Sequence, residues 1–268
     1  MEKIIVLGCG NGSVVENYNT CFALCDNRGD YFLVDAGGGN RIIKQLKDSN
    51  IDINKIHDIF ITHKHIDHLF GLLWIYRQIE LLMNKGEYEG ILNIYCHEGL
   101  AKIITVLIRN LIQKNMQTNF DKRIFINSVS DRERVKILDY DIEFFDIHAK
   151  GDMQYGFRTI LNNGRILSFT GDEPLDESLF NFVRNSDYLL HEAFCLEEEA
   201  TKFKARSKNH DTVAIASHKA EKLGIRNLIL WHTSENLGDR RQELYKNEAI
   251  KYFHGNVYIP NDLDIIEL

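Results

Sequence analysis

Phe60-Ile61-Thr62-His63-Lys64-His65-Ile66-Asp67-His68 decides the reading of this chain. Three histidines and one aspartate fall within six residues, directly after the apolar run Ile59-Phe60-Ile61. Side chains alternate along an extended segment, so His63 and His65 point to the same side. The apolar run Leu69–Met83 that follows predicts a helix, which sets Asp67 and His68 at a helix start. Two pairs of donors are then offered about one metal–metal spacing apart, roughly 3.5–4 Å in two-metal sites. Only 11 of 268 residues are histidine, so chance assembly of this pattern is rare. A binuclear metal site is a better reading than a surface histidine cluster.

The length allows one large or two small domains with a substantial core. Composition is that of a soluble globular protein: 44% hydrophobic, 26% charged, two prolines. A net charge of −7 and a pI near 5.9 argue against a non-specific nucleic-acid binder. A small anionic substrate is compatible, because bound divalent metals reverse the local field. The five cysteines are odd in number and lack CxxC spacing, which excludes a disulfide framework or zinc knuckle and fits a reducing, cytoplasmic compartment. Met1–Gly8 has too short an apolar run for a signal peptide. Arg77 interrupts the stretch Leu72–Leu82, so no membrane span is expected.

Outward from the cluster, polar residues recur at the C-terminal ends of predicted strands. Ile4–Leu7 leads into Gly8-Cys9-Gly10-Asn11-Gly12, read as a tight turn near the active face, because no helix and no acidic residue follow as a dinucleotide site requires. Cys21–Leu24 and Tyr31–Val34 predict a strand pair. The second strand ends at Asp35, which either supports the metals or caps the helix Arg41–Leu46. The run Leu100–Ile112 has helical spacing and predicts a core or dimer contact. Val135–Leu138 and Ile142–Ile147 read as strands, the latter ending at His148 before a glycine-containing loop, a placement that suits a ligand. Arg165–Thr170 runs into Gly171-Asp172, where a carboxylate can bridge two metals. Tyr188–Leu190 leads to His191-Glu192, with alternation pointing the two opposite ways. Lys208–Thr212, containing His210, opens the helix Val213–Leu223, and Asn227–Leu230 ends at Trp231-His232. His57, His97, His218 and His254 lack such placement and read as structural or exposed. The pattern appears twice, before and after about residue 140, with no linker between. An α/β fold is expected: one four-layered αββα sandwich over residues 1–268, with a single metal cleft between two sheets.

On His63-Lys64-His65-Ile66-Asp67-His68, His148, Gly171-Asp172, Glu192, His210 and His232, the chain resembles the metallo-β-lactamase superfamily and its ribonuclease Z-like branch. The resemblance implies two zinc ions, with manganese a substitute. One would be held by His63, His65 and His148, the other by Asp67, His68 and His232, with Asp172 bridging. It implies metal-assisted phosphodiester hydrolysis, in which Asp67 orients the attacking water and His210, held by Glu192, protonates the leaving oxygen. Transfer-RNA-processing members carry a long Gly/Pro-rich arm between the His148 and Asp172 equivalents, whereas only Ala149–Gly171 lies there in this chain. The chain is thus similar to the arm-less, anti-Pycsar-like cyclic-nucleotide phosphodiesterases of that branch. A small nucleotide substrate and a homodimer are expected. The alternatives are a ribonuclease Z-type transfer-RNA 3′-processing endonuclease, a thioester or lactone hydrolase, and a non-catalytic binding module.

Overall fold

Two seven-stranded sheets make the centre of the computed structural model, which describes residues 2–268. In chain order the strands are β1 (Lys3–Gly8), β2 (Cys21–Cys25), β3 (Tyr31–Val34), β4 (Ile56–Phe60), β5 (Leu92–His97), β6 (Ile124–Val129), β7 (Arg134–Ile137), β8 (Tyr140–Asp146), β9 (Tyr155–Ile160), β10 (Ile166–Phe169), β11 (Tyr188–Glu192), β12 (Asn227–Trp231), β13 (Asn256–Tyr258) and β14 (Ile265–Glu267). The first sheet runs β14-β1-β2-β3-β4-β5-β6 and the second β13-β12-β11-β10-β9-β8-β7. The helices are α1 (Arg41–Asp48), α2 (Ile66–Lys85), α3 (Glu98–Leu111), α4 (Phe180–Val183), α5 (Ala200–Phe203), α6 (Val213–Lys222) and α7 (Arg241–Ala249).

The inner strands are apolar on both faces because each sheet is covered twice. Ile4, Val6, Phe22 and Leu24 pack in the core shared with the second sheet. Their alternating neighbours Ile5, Leu7, Cys21 and Ala23 pack with residues of α1, α2 and α3. Leu228 and Leu230 of β12 likewise pack with residues of α6 and α7, while Ile229 and Trp231 enter the inter-sheet core. The layers are therefore helix, sheet, sheet, helix, as expected. Rings of Phe22, Phe157, Phe169 and Trp231 meet at the centre, with Phe22 and Trp231 centroids 4.9 Å apart. Full burial of such a side chain stabilises by about 1.5–3 kcal/mol.

The structure departs from the sequence reading in several places, helices α4, α5 and α7 among them. Helix α2 begins at Ile66 rather than Leu69, so Asp67 and His68 lie inside its first turn. Strands β6, β13 and β14 have no counterpart in the sequence reading. Strand β9 begins at Tyr155, inside the stretch read as a glycine loop, because its backbone pairs with both β8 and β10. The division between the sheets falls between β6 and β7, and β14 returns to pair with β1.

One contact positions the site. The Gly71 N–H donates to the Gly37 carbonyl, and the Ala36 N–H to that of His68, docking α2 on the loop after β3. A Cβ on Gly71 would stand 1.8 Å from the Ala36 oxygen, so only glycine permits this approach.

Candidate metal centre

The strand ends converge on one cleft. Asp172, just after β10, is its hub: Oδ2 lies 3.5 Å from His63 Nε2, 3.2 Å from His68 Nε2 and 3.6 Å from His232 Nε2. Two ligand atoms each about 2.1 Å from one tetrahedral ion stand roughly 3.4 Å apart, so these separations suit a metal better than hydrogen bonds. The polar atoms agree. His63 Nε2, His68 Nε2 and Asp172 Oδ1 are buried with no hydrogen-bond partner. Among the described residues, His63, His65 and Asp172 form one group able to hold an ion, and Asp67, His68 and His232 form another. The residues fit a two-metal centre.

The ring nitrogens facing away from the cleft are engaged by the protein. The Thr62 hydroxyl donates to Asp35 (2.9 Å), leaving a lone pair for His63 Nδ1–H at 2.9 Å. The Thr20 hydroxyl donates to the Gly10 carbonyl and accepts from His232 Nδ1–H at 3.0 Å. His68 Nδ1 donates to Asp35 at 2.7 Å. Asp35 thus holds His68 and Thr62 rather than capping α1, whose cap residue is Asn40. These bonds aim the three Nε2 atoms at Asp172. Burial lowers the pKa of His63 to about 3 and of His232 to about 4, which keeps both as the neutral ligand form. Burial opposes ionisation of Asp67 and Asp172, but the neighbouring histidines outweigh it and hold both carboxyls below the usual range. Asp35 and His232 have φ of 55° and 54°, a left-handed backbone that non-glycine residues rarely adopt and that clusters at functional sites.

His148 is not brought to this cluster. Its φ of 58° turns the chain at the end of β8, its N–H donates to Asp146, and its Nδ1 lies 3.0 Å from Ser178 Oγ. Its side chain is 47% exposed and lines a cavity of about 760 Å³ that meets the cleft at His210. The loop tethers it to Asp146 and Ser178.

The second sheet also supplies a buried carboxylate paired with an imidazole. Glu192 is fully buried at the end of β11; one carboxylate oxygen accepts the Asp211 N–H and the other meets His210 Nδ1 at 3.1 Å. His210 Nδ1 is also 3.0 Å from the Asp172 carbonyl, so Nε2 is left free. Burial disfavours the imidazolium, but Glu192 more than offsets it and raises His210 to about 8. Burial also pushes the Glu192 carboxyl up, against the pull of His210; the two titrate as one coupled pair, in which we hold the imidazolium favoured. Phe194 stacks on His210 with centroids 4.6 Å apart and planes 3° from parallel. Alternation separates His191 from Glu192 as expected: His191 Nε2 meets Asp211 at 3.0 Å instead.

The cleft of about 220 Å³ is lined by Asn11, Gly12, Ser13, Gln154, Glu173, Phe194 and Lys208 besides the residues above. A Cβ on Gly12 would stand 2.9 Å from Asp67 Oδ2, which is why the turn after β1 closes on the site with glycine. Sequence reasoning located this turn but missed Thr20, Thr62 and Phe194. Thr62 directly precedes His63, and Phe194 lies two residues past Glu192, positions that alternation could have flagged.

The family model described as Anti-Pycsar protein Apyc1 matches residues 2–209. The chain is 26% identical to the ribonuclease Z of Enterococcus faecalis (strain ATCC 700802 / V583), over 99% of this chain and 97% of that protein. Its fold is similar to the metallo-β-lactamase-fold protein YhfI of Bacillus subtilis (TM-score 0.80, 20% identity, 99% and 98% of the two chains). It is also similar to yeast PDE1 (TM-score 0.74, 15% identity, 100% and 99%). With this match over most of its length, this fold and this set of donors, the chain belongs to the Anti-Pycsar protein Apyc1 family, in the ribonuclease Z-like branch of the metallo-β-lactamase superfamily, and is a metal-dependent hydrolase.

Proposed function

We propose that this enzyme is a phosphodiesterase that opens the phosphodiester ring of a small cyclic mononucleotide. The observation that carries the reading is the Glu192–His210 pair set beside the Asp172 hub. Two divalent cations, zinc or manganese, held by His63, His65 and Asp172 and by Asp67, His68 and His232, would lower the pKa of water and neutralise phosphoryl charge. Asp67 orients the attacking water. As water oxygen bonds to phosphorus and the ring P–O bond breaks, His210 Nε2–H gives its proton to the departing oxygen. The proton lost by the water goes to solvent, and the product is a linear monophosphate. Glu192 positions His210 and favours its charged form.

A small substrate is supported by the segment 149–171, which is taken up by a loop, β9, β10 and the start of the turn after it, leaving no length for a projecting arm. The metal cleft suits a phosphoryl group, while the nucleoside extends into the adjoining depression of about 550 Å³ that shares His65, Glu173 and Lys208. The name of the ribonuclease Z relatives supports a phosphodiester bond and keeps structured RNA as the second reading. The test is turnover by the zinc- or manganese-loaded protein of a panel of cyclic mononucleotides, with a precursor transfer RNA alongside. Cleavage of the RNA alone would overturn the substrate.

A homodimer is supported by exposed apolar residues on two helices, Ile66, Phe70 and Trp74 on α2 and Ile103, Val106 and Leu111 on α3. Sedimentation of Trp74→Glu should then report a monomer. Five unpaired, buried cysteines support a cytoplasmic location. Among the described residues no helix is long and apolar enough to cross a membrane.

A further inference from the structure

The turn after β1 lines the metal cleft with Asn11, Gly12 and Ser13. Asn11 is only 3% exposed, and the chain fixes it on nearly every side. Its N–H donates to the Thr233 carbonyl at 3.1 Å, and its own carbonyl accepts from Asn19 Nδ2 at 2.8 Å. Its side-chain Oδ1 accepts the Ser13 N–H at 2.8 Å. A backbone N–H can only donate, so that bond also settles which end of the amide is oxygen. Nδ2, with two protons to give, has no acceptor among the described residues and is the end left for the cleft.

The stretch that carries Asn11 is itself clamped. Asp262 accepts the N–H groups of Cys9 and Tyr18 at 3.1 and 2.6 Å. Glu235 accepts those of Val15, Glu16 and Asn17 at 2.6, 3.0 and 3.1 Å. Both neighbours of Asn11 touch the second metal group. The Thr20 hydroxyl joins the Gly10 carbonyl to His232 Nδ1, and Gly12 closes against Asp67 Oδ2.

We propose that Asn11 is a further catalytic residue, its Nδ2–H donating to a phosphoryl oxygen that gains negative charge as water attacks phosphorus. A donor held in place beforehand stabilises that charge without reorganising at the moment of reaction. Being neutral, the amide does so without repelling two bound cations or the His210 imidazolium, as a lysine in its place would. The inference rests on the phosphodiesterase reading but not on which nucleotide is cleaved.

The experiment compares the metal-loaded full chain with Asn11→Ala and Asn11→Asp, using bis(p-nitrophenyl) phosphate and the cyclic mononucleotides as substrates. Metal content and hydrogen exchange of the amides of residues 9–20 are measured alongside. Asn11→Asp keeps an oxygen for the Ser13 N–H but offers no N–H and brings a charge that would repel a phosphoryl group. Both variants should keep their metals and the protection of the turn. The expected kcat is about 10²–10³-fold lower in Asn11→Ala and at least as low in Asn11→Asp, with KM little changed. Near-wild-type kcat in Asn11→Ala overturns the inference, as does recovery of kcat in Asn11→Asp, which would mean that only the turn matters. Metal loss or faster exchange accompanying lost activity in both variants overturns it too, making Asn11 part of the scaffold. A wild-type protein that hydrolyses none of these substrates overturns the proposed function instead.

Discussion

The two sheets deliver their residues to the cleft in different ways. From the first sheet, His63, His65, Asp67 and His68 come from one junction, where β4 runs into α2, and local geometry alone brings them close. From the second sheet, Asp172, Glu192 and His232 come one at a time from the ends of β10, β11 and β12, and His210 from the segment before α6. Those strands are parallel neighbours, so their C-terminal ends lie side by side at one edge. The first sheet supplies most of the metal donors. On the proposed roles the second supplies the shared carboxylate and the acid, so metal binding and proton transfer should respond separately to substitution there.

Asp172→Ala should have the largest effect, since its carboxylate touches both groups. Metal analysis should find both ions lost and turnover abolished; retention of one ion would mean the groups are independent. His210→Ala should keep its metals but lose roughly two to four orders of magnitude in kcat. Metal loss in that variant would erase the distinction between the sheets. Phe157→Ala, in the aromatic centre between the sheets, should destabilise by about 3–5 kcal/mol in thermal or denaturant unfolding; a much smaller value would mean that this core does not hold the sheets together.

A pH effect should be smaller, and on the second sheet it has a pair outside the metal-donor groups, His191 and Asp211. Burial lowers the pKa of His191. Burial would raise that of Asp211, but His191 and Lys219 hold it below the usual range. A depressed carboxyl contributes stability that is present above its unfolded value of about 3.9 and is lost as pH falls through the folded one. A histidine with a lowered value acts in the same direction, with its cost setting in as pH drops below about 6.5, where the unfolded chain takes up the proton first. Stability should therefore decline from about pH 6.5 downward, and Asp211→Asn should flatten the acid part of that decline in melting-temperature measurements.

The histidine spacing after β4 was legible because strand and helix periodicities act over a few residues. The strand-end positions of Asp172 and Glu192 were legible because a polar residue after an apolar run marks where a buried strand ends. The same logic suggested His148, but its left-handed φ and the neighbouring Ser178 hydroxyl are consequences of how a loop packs, with no local signature. Strand β9 was hidden for a related reason, since Tyr155–Phe157 follows a glycine-bearing stretch and becomes a strand only through pairing with β8 and β10.

By itself, then, the sequence determined the layered fold and the closeness of the four polar residues at 63–68, while the two ligand groups and the Glu192–His210 pair were implied by the family resemblance. The first two follow from side-chain period and residue chemistry, which local chain geometry converts directly into position. Only the tertiary structure decided which ring nitrogens of His63, His68 and His232 face the cleft, and that Asp152 stands beside His65. Those choices depend on hydrogen bonds from Thr20, Thr62, Asp35 and Asp152, and, except for Thr62 beside His63, these partners are tens to hundreds of residues away in the chain.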